Sequence, residues 1–579
     1  MTERQKSSSS AALPLAGRQS ADFATIAPHL VWWGTILLLA FIVFYPSIVL
    51  IVNSFKAGGE FTLANYQRLF QDPKLYTSML NSLKVVVPST LIGTVLGVVL
   101  AWIVARTDIP GKKIWQILIA VPYLIPPFIG AIAWTYLLGP IGWFNKWYMQ
   151  LSGASSPLID IYSLGGMIFV MSIYGYAIPY VVVLPAFKMI DASVEEAARI
   201  SGASTWRIMR DVSIPLLMPS IMGGMLLLFM NLLADFGIPA VLGAPKQIHL
   251  MTTEIYVTIL NADLSNNLQI AAAYSMLLAL FGIIGLQLYQ KIVKSSKYVV
   301  VSGKSTSAEM IKLGKWKYPI SAGLGIVVFL TAVAPVAAAF FTSLIRAYGA
   351  PITWSNLTFR NYARLFSIES IQRALTNSFT LSAVSGIMIA FLGLMLAYMI
   401  IRMNKRGARL VEGLIALPYA VPGTIVALSM ILAFLNPIPI IHLSLYNTYW
   451  ILLIAYLARF MNLGLQTLSG AVTQIHPSLE EASRISGAAP MRAFWDIMVP
   501  LLRPSFYAAF FLVMIPALGE ITLSALLWSV GNETIGVIVF SMQEEGKVTL
   551  TAAMASILIV TVFLLNAIVK IVSKGKMGI

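Results

Sequence analysis

The chain has no cysteine and little charge. The absence of cysteine from 579 residues excludes disulfides, thiolate metal sites and thiol redox motifs. Charged residues make up only 11% of the sequence, whereas a soluble domain carries about a quarter. Hydrophobic residues reach 58%, and the mean hydropathy is +0.82. These values exclude an ordinary soluble protein and predict an all-α, polytopic membrane protein.

Residues that carry chemistry are also scarce. The four histidines (His29, His249, His442 and His476) lack the spacing of a metal-binding pair. The stretch SGKST at 302–306 is not a phosphate loop, because Tyr298 stands where its first glycine belongs. No acid–base dyad, nucleophile–base pair or Walker motif is visible. An enzyme is therefore the least supported class, and no ATPase site is expected in this chain.

The net charge of +16 raises the question of nucleic-acid binding. The basic residues, however, lie in short segments between apolar runs, which is where topology-setting charge belongs. We therefore expect a lipid bilayer and no nucleic acid as partner. Twelve runs of roughly 20 apolar residues predict membrane spans. They lie at about 31–52, 82–105, 115–137, 164–187, 216–236, 270–290, 318–345, 378–401, 412–435, 448–470, 504–527 and 550–572.

The loops indicate the orientation of these spans. Basic residues dominate 106–113, 289–317, 402–411 and the C-terminal tail, and all four fall on one side if the spans alternate. That side is expected to be the cytoplasm, with both termini facing it. The outer loop 346–376 also holds four arginines and is an exception.

Internal repeats divide the chain into two halves. Asn65–Phe70 (NYQRLF) recurs as Asn361–Phe366 (NYARLF), a shift of 296 residues. The same shift relates Asn81-Ser82 to Asn377-Ser378 and Val121–Pro126 to Leu417–Pro422. Two parallel six-span repeats are therefore predicted. The expected organisation is a disordered cytoplasmic tail (1–28), a first half (29–290), a cytoplasmic linker (291–317), a second half (318–573) and a short cytoplasmic tail (574–579).

One polar stretch is repeated far better than its surroundings. Glu195–Ser220 and Glu480–Ser505 are identical at 15 of 26 positions, with a shift of 285 residues. Each begins with good helix formers, reaches a glycine (Gly202 or Gly487) and continues as a second helical piece. Both lie on the expected cytoplasmic side. An amphipathic connector on the bilayer is one interpretation; the contrast with the diverged surroundings favours a knob that binds a soluble partner.

These stretches resemble a known family signature. The pattern E-A-A-x3-G-x9-I-x-L-P marks permease subunits of ATP-binding-cassette (ABC) importers that use an external binding protein. Glu196, Gly202 and Pro215 match it, as do Glu481, Gly487 and Pro500, while Ser483 replaces the third residue of the second copy. We call Glu195–Ser220 and Glu480–Ser505 the coupling segments. The resemblance implies a type I importer fold and ATPase-coupling roles for Glu195, Glu196, Ala197, Ala198, Gly202, Glu480, Glu481, Ala482, Ser483 and Gly487.

The resemblance also implies partners. Two coupling segments would dock two copies of an ABC ATPase subunit, which would bind ATP and magnesium, so no cofactor or metal site is expected here. An external or periplasmic solute-binding protein would deliver the solute. The location would be the inner (cytoplasmic) membrane of a prokaryote.

Several residues inside spans are candidates for the translocation pathway. Asp235 and Glu520 are equivalent under the 285-residue shift, as are Tyr174 and Arg459. The carboxylates would face each other across the pseudosymmetry axis, or they would cap helix breaks at the outer ends of their spans. Arg459 would neutralise Glu520 or meet an anion. The third spans contain Pro126 and Pro422, which are expected to break helices at matching depth.

The solute is less well defined by the sequence. A fused permease with DFGIPAVLG and MTTEIY after its fifth span looks most like ferric-iron permeases, and paired carboxylates suit a hard cation. Thiamine, polyamines, phosphonates and sugar phosphates are alternatives within the same class. An ion-gradient-driven secondary transporter would also have two six-span halves, but it would not need two knobs for a soluble partner.

Overall fold

A computed structural model describes most of the chain. Its described residues are 30, 32–190, 192–264, 266–295, 310–350, 353–403, 407–438, 442, 444–488 and 490–572. The expected tails at 1–28 and 574–579, and the linker residues 296–309, lie outside this range. The described end of the linker pairs with the end of the second span, where Ile311 N donates to the Arg106 carbonyl at 2.8 Å.

Within the described ranges, eleven helices are long and apolar enough to cross a membrane, and one bent pair brings the count to 12. In the first half these are Trp32–Ser54, Pro73–Arg106, Pro127–Ser152, Leu164–Met189, Trp206–Leu233 and Asn267–Ile292. In the second half they are Gly314–Leu344, Glu369–Ile401, the bent pair Ala408–Ala420 and Gly423–Phe434, Tyr449–Gln474, Phe494–Leu518 and Val548–Ile571. The predicted all-α, double-repeat architecture is confirmed.

Shorter elements connect the spans. The helices are Ala64–Gln71, Lys112–Ala120, Ala192–Ile200, Gly237–Gly243, Met251–Leu260, Arg360–Ser367, Ser478–Ile485, Ser524–Leu527 and Ile535–Glu544. Two short antiparallel strands, Lys56–Ala57 and Glu60–Phe61, form a hairpin after the first span, with Lys56 opposite Phe61. Within the described residues, strands are thus confined to this connecting hairpin.

Several predicted span boundaries are wrong. The third span is not continuous over 115–137, because the helix Lys112–Ala120 passes into a short 3₁₀ turn and a new helix begins at Pro127. Its counterpart in the second half bends by 107° before Gly423. Proline lacks the N–H that would continue the helical hydrogen bonds, so each break follows from the sequence. The eleventh span ends at Leu518 rather than near 527, since a separate helix starts at Ser524.

The fifth and eleventh spans both begin earlier than predicted, at Trp206 and Phe494. Each begins with a wide π-helical turn around residues 209–213 or 494–498, just before Pro215 or Pro500. Because proline cannot donate to the carbonyl four residues earlier, a local widening of the helix accommodates that unpaired group. The coupling segments therefore run directly into these spans without a flexible break.

The repeated sequence motifs have structural roles. The Asn65 amide donates to the carbonyls of Ser54 (3.1 Å) and Lys56 (2.7 Å), which ties Ala64–Gln71 to the end of the first span. Asn361 makes the same two bonds, to Ser343 (2.8 Å) and Ile345 (2.9 Å). These buried amides satisfy carbonyls at a helix end, which would otherwise lose hydrogen bonds in an apolar setting.

The repeated Asn-Ser pair also serves helix ends. Ser82 Oγ accepts from Met251 N at 2.9 Å, and Ser378 Oγ accepts from Ile535 N at 2.8 Å. Each hydroxyl thus satisfies the first amide of a later connecting helix, Met251–Leu260 in the first half or Ile535–Glu544 in the second. The two halves keep this contact because a free helix N-terminus buried in the protein would leave donors unpaired.

The first span of each half packs against the other half. The Tyr45 hydroxyl of the first span donates to the Ala433 carbonyl at 3.2 Å, next to a ring contact between Phe41 and Phe434 with centroids 5.4 Å apart. In the reverse direction, the Tyr348 hydroxyl beyond the seventh span donates to the Thr135 carbonyl at 3.2 Å. The third spans of both halves are therefore enclosed at the centre of the protein.

The arginine-rich outer loop is partly neutralised. Arg373 donates from Nη1 to Glu369 Oε1 at 2.6 Å, and its Nη2 lies 3.3 Å from Glu533 Oε1. Glu533 is only 6% exposed. One of the four arginines that break the charge bias thus has a local structural function.

Candidate functional site

The coupling segments adopt the predicted helix–turn–helix form. Gly202 and Gly487 take left-handed backbone angles, with φ of +83° and +86°. Ala203 N donates to the Ala198 carbonyl and Ala488 N to the Ser483 carbonyl, both at 3.1 Å. This is a Schellman-type helix end, which favours glycine because a side chain is strained at positive φ. The same turn is built twice from the same residue types.

One face of each coupling segment is exposed. Glu196 and Glu481 lie on this face, as do Ala197 and Ala482, while Ala198 and Ser483 are half-buried. The last helical residues, Ile200 and Ile485, are 88% and 87% exposed. Two symmetric isoleucines extended away from the protein form apolar tips of the kind that mark a contact surface.

The preceding glutamates point the other way. Glu195 is 15% exposed and pairs with Arg106, the last residue of the second span. Glu480 is 12% exposed and pairs with Arg402, just beyond the eighth span. Sequence analysis missed both arginines as partners, although they are related by the 296-residue shift just as the glutamates are related by the 285-residue shift.

Asp235 and Glu520 each begin a short helix within their own half. Asp235 Oδ1 accepts from Ile238 N at 3.3 Å, at the start of Gly237–Gly243. Glu520 accepts from Leu523 N at 2.9 Å and 3.0 Å and from Ser524 N at 3.1 Å. In both halves, the carboxylate thus has the geometry of a helix cap, as one of the two interpretations expects.

Arg459 interacts with the broken third span of its half. Its Nη1 donates to the Pro418 carbonyl at 2.6 Å and also to the Val421 carbonyl. These carbonyls lie at the end of Ala408–Ala420, where a helix leaves acceptors unpaired and carries partial negative charge. Among the described residues, Arg459 and Glu520 form no direct ion pair within 4 Å, although their charges attract each other at longer range. The helix break supplies the guanidinium with acceptors instead.

In the first half, tyrosine hydroxyls donate to the carbonyls at the break in the third span. The Tyr176 hydroxyl donates to the Ile119 carbonyl at 2.9 Å, and the Tyr180 hydroxyl to the Gln116 carbonyl at 3.2 Å. Tyr174, the counterpart of Arg459, instead packs its ring over Gly130, where an added Cβ would lie 2.2 Å from it. The fourth and tenth spans therefore both stabilise a broken third span, with different side chains.

The two prolines precede the second part of each broken span. Pro126 and Pro422 have extended ψ angles of 127° and 142°, and each is followed at once by a new helix. Pro126 also contacts the other half, because a Cβ added to Gly519 would lie 2.8 Å from Pro126 Cγ. The break in the first half thus lies beside the residue that precedes Glu520.

Comparison with known proteins decides the family. A model described as "Binding-protein-dependent transport system inner membrane component" matches residues 93–298 and 389–577, once in each half. The chain belongs to this family. The double match confirms the tandem repeat and the resemblance to ABC importer permeases, and it makes the chain a multi-pass inner-membrane transport component.

Several curated members are similar along most of the chain. The ferric transport system permease protein FbpB of Actinobacillus pleuropneumoniae is 27% identical over 530 residues, covering 91% of this chain and 75% of that protein. The Fe(3+)-transport system permease protein FbpB 2 of Haemophilus influenzae is 23% identical over 552 residues, covering 92% and 98%. The expected likeness to ferric-iron permeases is confirmed.

Sulfate permeases of the family match less than half of this chain. The sulfate transport system permease protein CysW of a Synechocystis strain is 28% identical over 264 residues, covering 44% of this chain and 90% of that protein. Among solved structures, a bacterial alginate ABC transporter in complex with an alginate pentasaccharide-bound periplasmic protein contains a similar chain. It is 20% identical with a TM-score of 0.38, covering 49% of this chain and 97% of that one.

Proposed function

We propose that this chain is a membrane-spanning permease of an ABC importer, with two permease halves fused and two ATPase subunits docked on the coupling segments. The observation that carries the proposal is the symmetric pair of exposed helix tips. Ile200 and Ile485 are almost fully exposed at equivalent positions, beside the exposed carboxylates of Glu196 and Glu481. An apolar tip flanked by charge fits a cleft in a soluble protein better than it fits open water.

The energy source then lies outside the chain. ATP and magnesium would be bound by the ATPase subunits, and closure of their dimer would draw the two coupling segments together. Because these segments continue into the fifth and eleventh spans, at Trp206 and Phe494, this movement would tilt both spans. The permease would in this way alternate between outward- and inward-facing states, with its coupling segments and both termini in the cytoplasm.

The translocation pathway is proposed to run between the halves, beside the broken third spans. Its proposed lining is Asp235, Glu520 and Arg459, together with Tyr174, Pro126 and Pro422. The support is positional, since Pro126 of one half touches Gly519 of the other. Helix breaks at membrane depth are tolerated where they are enclosed by protein or line a cavity. Rocking of the halves would separate or close this contact.

The proposed solute is ferric iron, received from an external solute-binding protein. The support is the similarity along most of the chain to ferric transport permeases of two other bacteria. The matches to sulfate permeases cover less than half of this chain, and the family description does not specify a solute. Thiamine, polyamines, phosphonates and sugar phosphates remain alternatives for the same machinery.

Reconstitution tests the proposal. The permease, its ATPase and its binding protein would be assembled in liposomes, and uptake of labelled ferric iron would be followed. We expect uptake only with enclosed ATP and with both partners, and no effect of a proton uncoupler. Uptake that the uncoupler abolishes and that persists without ATP would instead support an ion-gradient-driven transporter. ATP-driven uptake of another solute alone would overturn only the choice of iron.

A further inference from the structure

In the first half, a buried ion pair joins the coupling segment to the second span. Arg106 is 6% exposed, and its Nη2 contacts Glu195 Oε1. Ser213 Oγ, at the start of the fifth span, donates to the same carboxylate oxygen at 2.7 Å. Glu195 therefore joins three elements: its own helix, the end of the second span and the start of the fifth.

The second half contains the same pair in a different setting. Arg402 Nε lies 3.1 Å from Glu480 Oε1, and the two side chains are 13% and 12% exposed. Tyr398, one turn earlier on the eighth span, donates to Glu480 Oε2 at 3.0 Å. Arg402 Nη2 also donates to the Val472 carbonyl at 3.1 Å, near the end of the tenth span. The third partner differs between the halves, whereas the arginine and the glutamate are the same.

Each arginine lies at the end of a long span, so the ion pair connects the coupling segment to that span. The spans that end at Arg106 and near Arg402 are the longest in the described part of the chain, at 34 and 33 residues. Each packs against the fourth and fifth spans of its own half, or their counterparts. A buried ion pair is screened little by solvent, and removal of one partner leaves an uncompensated charge. Displacement of the coupling segment is therefore resisted unless the second span moves with it.

We propose that Arg106–Glu195 and Arg402–Glu480 are positioning pairs that transmit movement of each coupling segment to the long second span of its half. This inference rests on the proposed coupling function and deepens it. It gives the two glutamates of each segment different roles. Glu195 and Glu480 hold the segment to the permease, whereas Glu196 and Glu481 remain available to the ATPase.

The two adjacent glutamates provide a matched test. The doubly substituted permease E195Q/E480Q would be compared with E196Q/E481Q in the complete complex, in liposomes. Two quantities would be measured: the ATPase subunits that copurify with each permease, and the solute transported per ATP hydrolysed. We expect E195Q/E480Q to retain both ATPase subunits while transport per ATP falls by at least about five-fold, within the usual range of coupling between sites. E196Q/E481Q should instead weaken copurification.

Variants that remove both charges guard against a simple folding defect. Substitution of all four residues by glutamine (R106Q/E195Q/R402Q/E480Q) avoids an unpaired buried charge, so the protein should accumulate and remain monodisperse. The solute transported per ATP should nevertheless stay low in this variant. If the pairs served only to stabilise the fold, a folded variant would have a normal ratio. Normal transport per ATP in this variant would overturn the proposal.

Other outcomes separate this inference from the proposed function. Loss of ATPase copurification in E195Q/E480Q, with normal copurification in E196Q/E481Q, would make the first glutamates docking contacts and would overturn the positioning role. If the unsubstituted permease bound no ATPase at all, the proposed coupling function itself would fail, and the positioning role with it.

Discussion

Pro126 and Gly519 touch across the boundary between the two halves, so closely that a Cβ on Gly519 would lie 2.8 Å from Pro126 Cγ. The proline precedes the second part of the broken third span, and the glycine follows the eleventh span and precedes Glu520. Because only a glycine fits this contact, the central break of one half and a candidate pathway carboxylate of the other are held in register.

Substitution of Gly519 by alanine is therefore expected to destabilise the contact between the halves. The added methyl group must displace the proline ring, and overpacking of this kind costs about 1–3 kcal/mol. The thermal midpoint of the purified protein should fall, and transport should fall with it. The control is Gly470→Ala, since nothing lies within 4 Å of a Cβ at that helical position. Equal midpoints for the two variants would contradict the close contact.

The turns of the coupling segments give a second expectation. In Gly202→Val/Gly487→Val, a β-branched residue must adopt positive φ, with a strain of about 1–3 kcal/mol at each site. The turn should reshape, so ATP hydrolysis should no longer drive solute uptake, while membrane insertion remains. Gly407→Val is the matched control, because Gly407 has the same left-handed backbone, φ +85°, outside the coupling segments. Normal ATP-driven uptake by the double variant would make the docking role wrong.

Arg459 is expected to stabilise the broken third span of the second half. Arg459→Leu leaves the carbonyls of Pro418 and Val421 without their charged donor, and a hydrogen bond to a charged group is worth about 1.5–3 kcal/mol. Hydrogen exchange of amides around 418–425 should accelerate. The control is Tyr174→Phe at the equivalent position, where the hydroxyl has no partner in the described part of the chain. Unchanged hydrogen exchange in Arg459→Leu would show that Arg459 does not stabilise this helix end.

The carboxylates at the helix starts can be tested for a second role. Asp235→Asn and Glu520→Gln keep an oxygen that can accept from the amides of Ile238 and Leu523, so stability should change by less than about 1 kcal/mol. If the carboxylates line the pathway, as proposed, the double variant should transport several-fold more slowly at an unchanged thermal midpoint. Unchanged uptake kinetics would leave them as helix caps alone.

Much of this architecture follows from the sequence because lipid imposes simple rules. Twelve apolar runs can be recognised in the sequence, since each span must be long enough to cross the membrane. The double repeat can be recognised as well. The early start of the fifth span was missed because Arg207, Arg210 and Asp211 interrupt its apolar pattern, although the backbone remains helical there. Charged residues lower the hydropathy at the start of this span, but they do not interrupt its helix.

The contacts of the candidate site were harder to foresee. Arg106 and Glu195 are 89 residues apart in the sequence, and only folding brings them together. Their common signal was the repeat itself, because both members of the pair recur in the second half. The acceptors of Arg459 could not be foreseen for another reason. They are backbone carbonyls released by a helix break, and a sequence pattern does not display them.

Cross-linking at the tips of the coupling segments tests the central claim most directly. Because the chain has no cysteine, single substitutions Ile200→Cys and Ile485→Cys each give the permease one unique thiol. In membranes that contain the whole complex, we expect each thiol to cross-link to an ATPase subunit and to be shielded from a membrane-impermeant reagent added outside. Thiols that react from outside, or that yield no ATPase adduct at either position, would contradict the account.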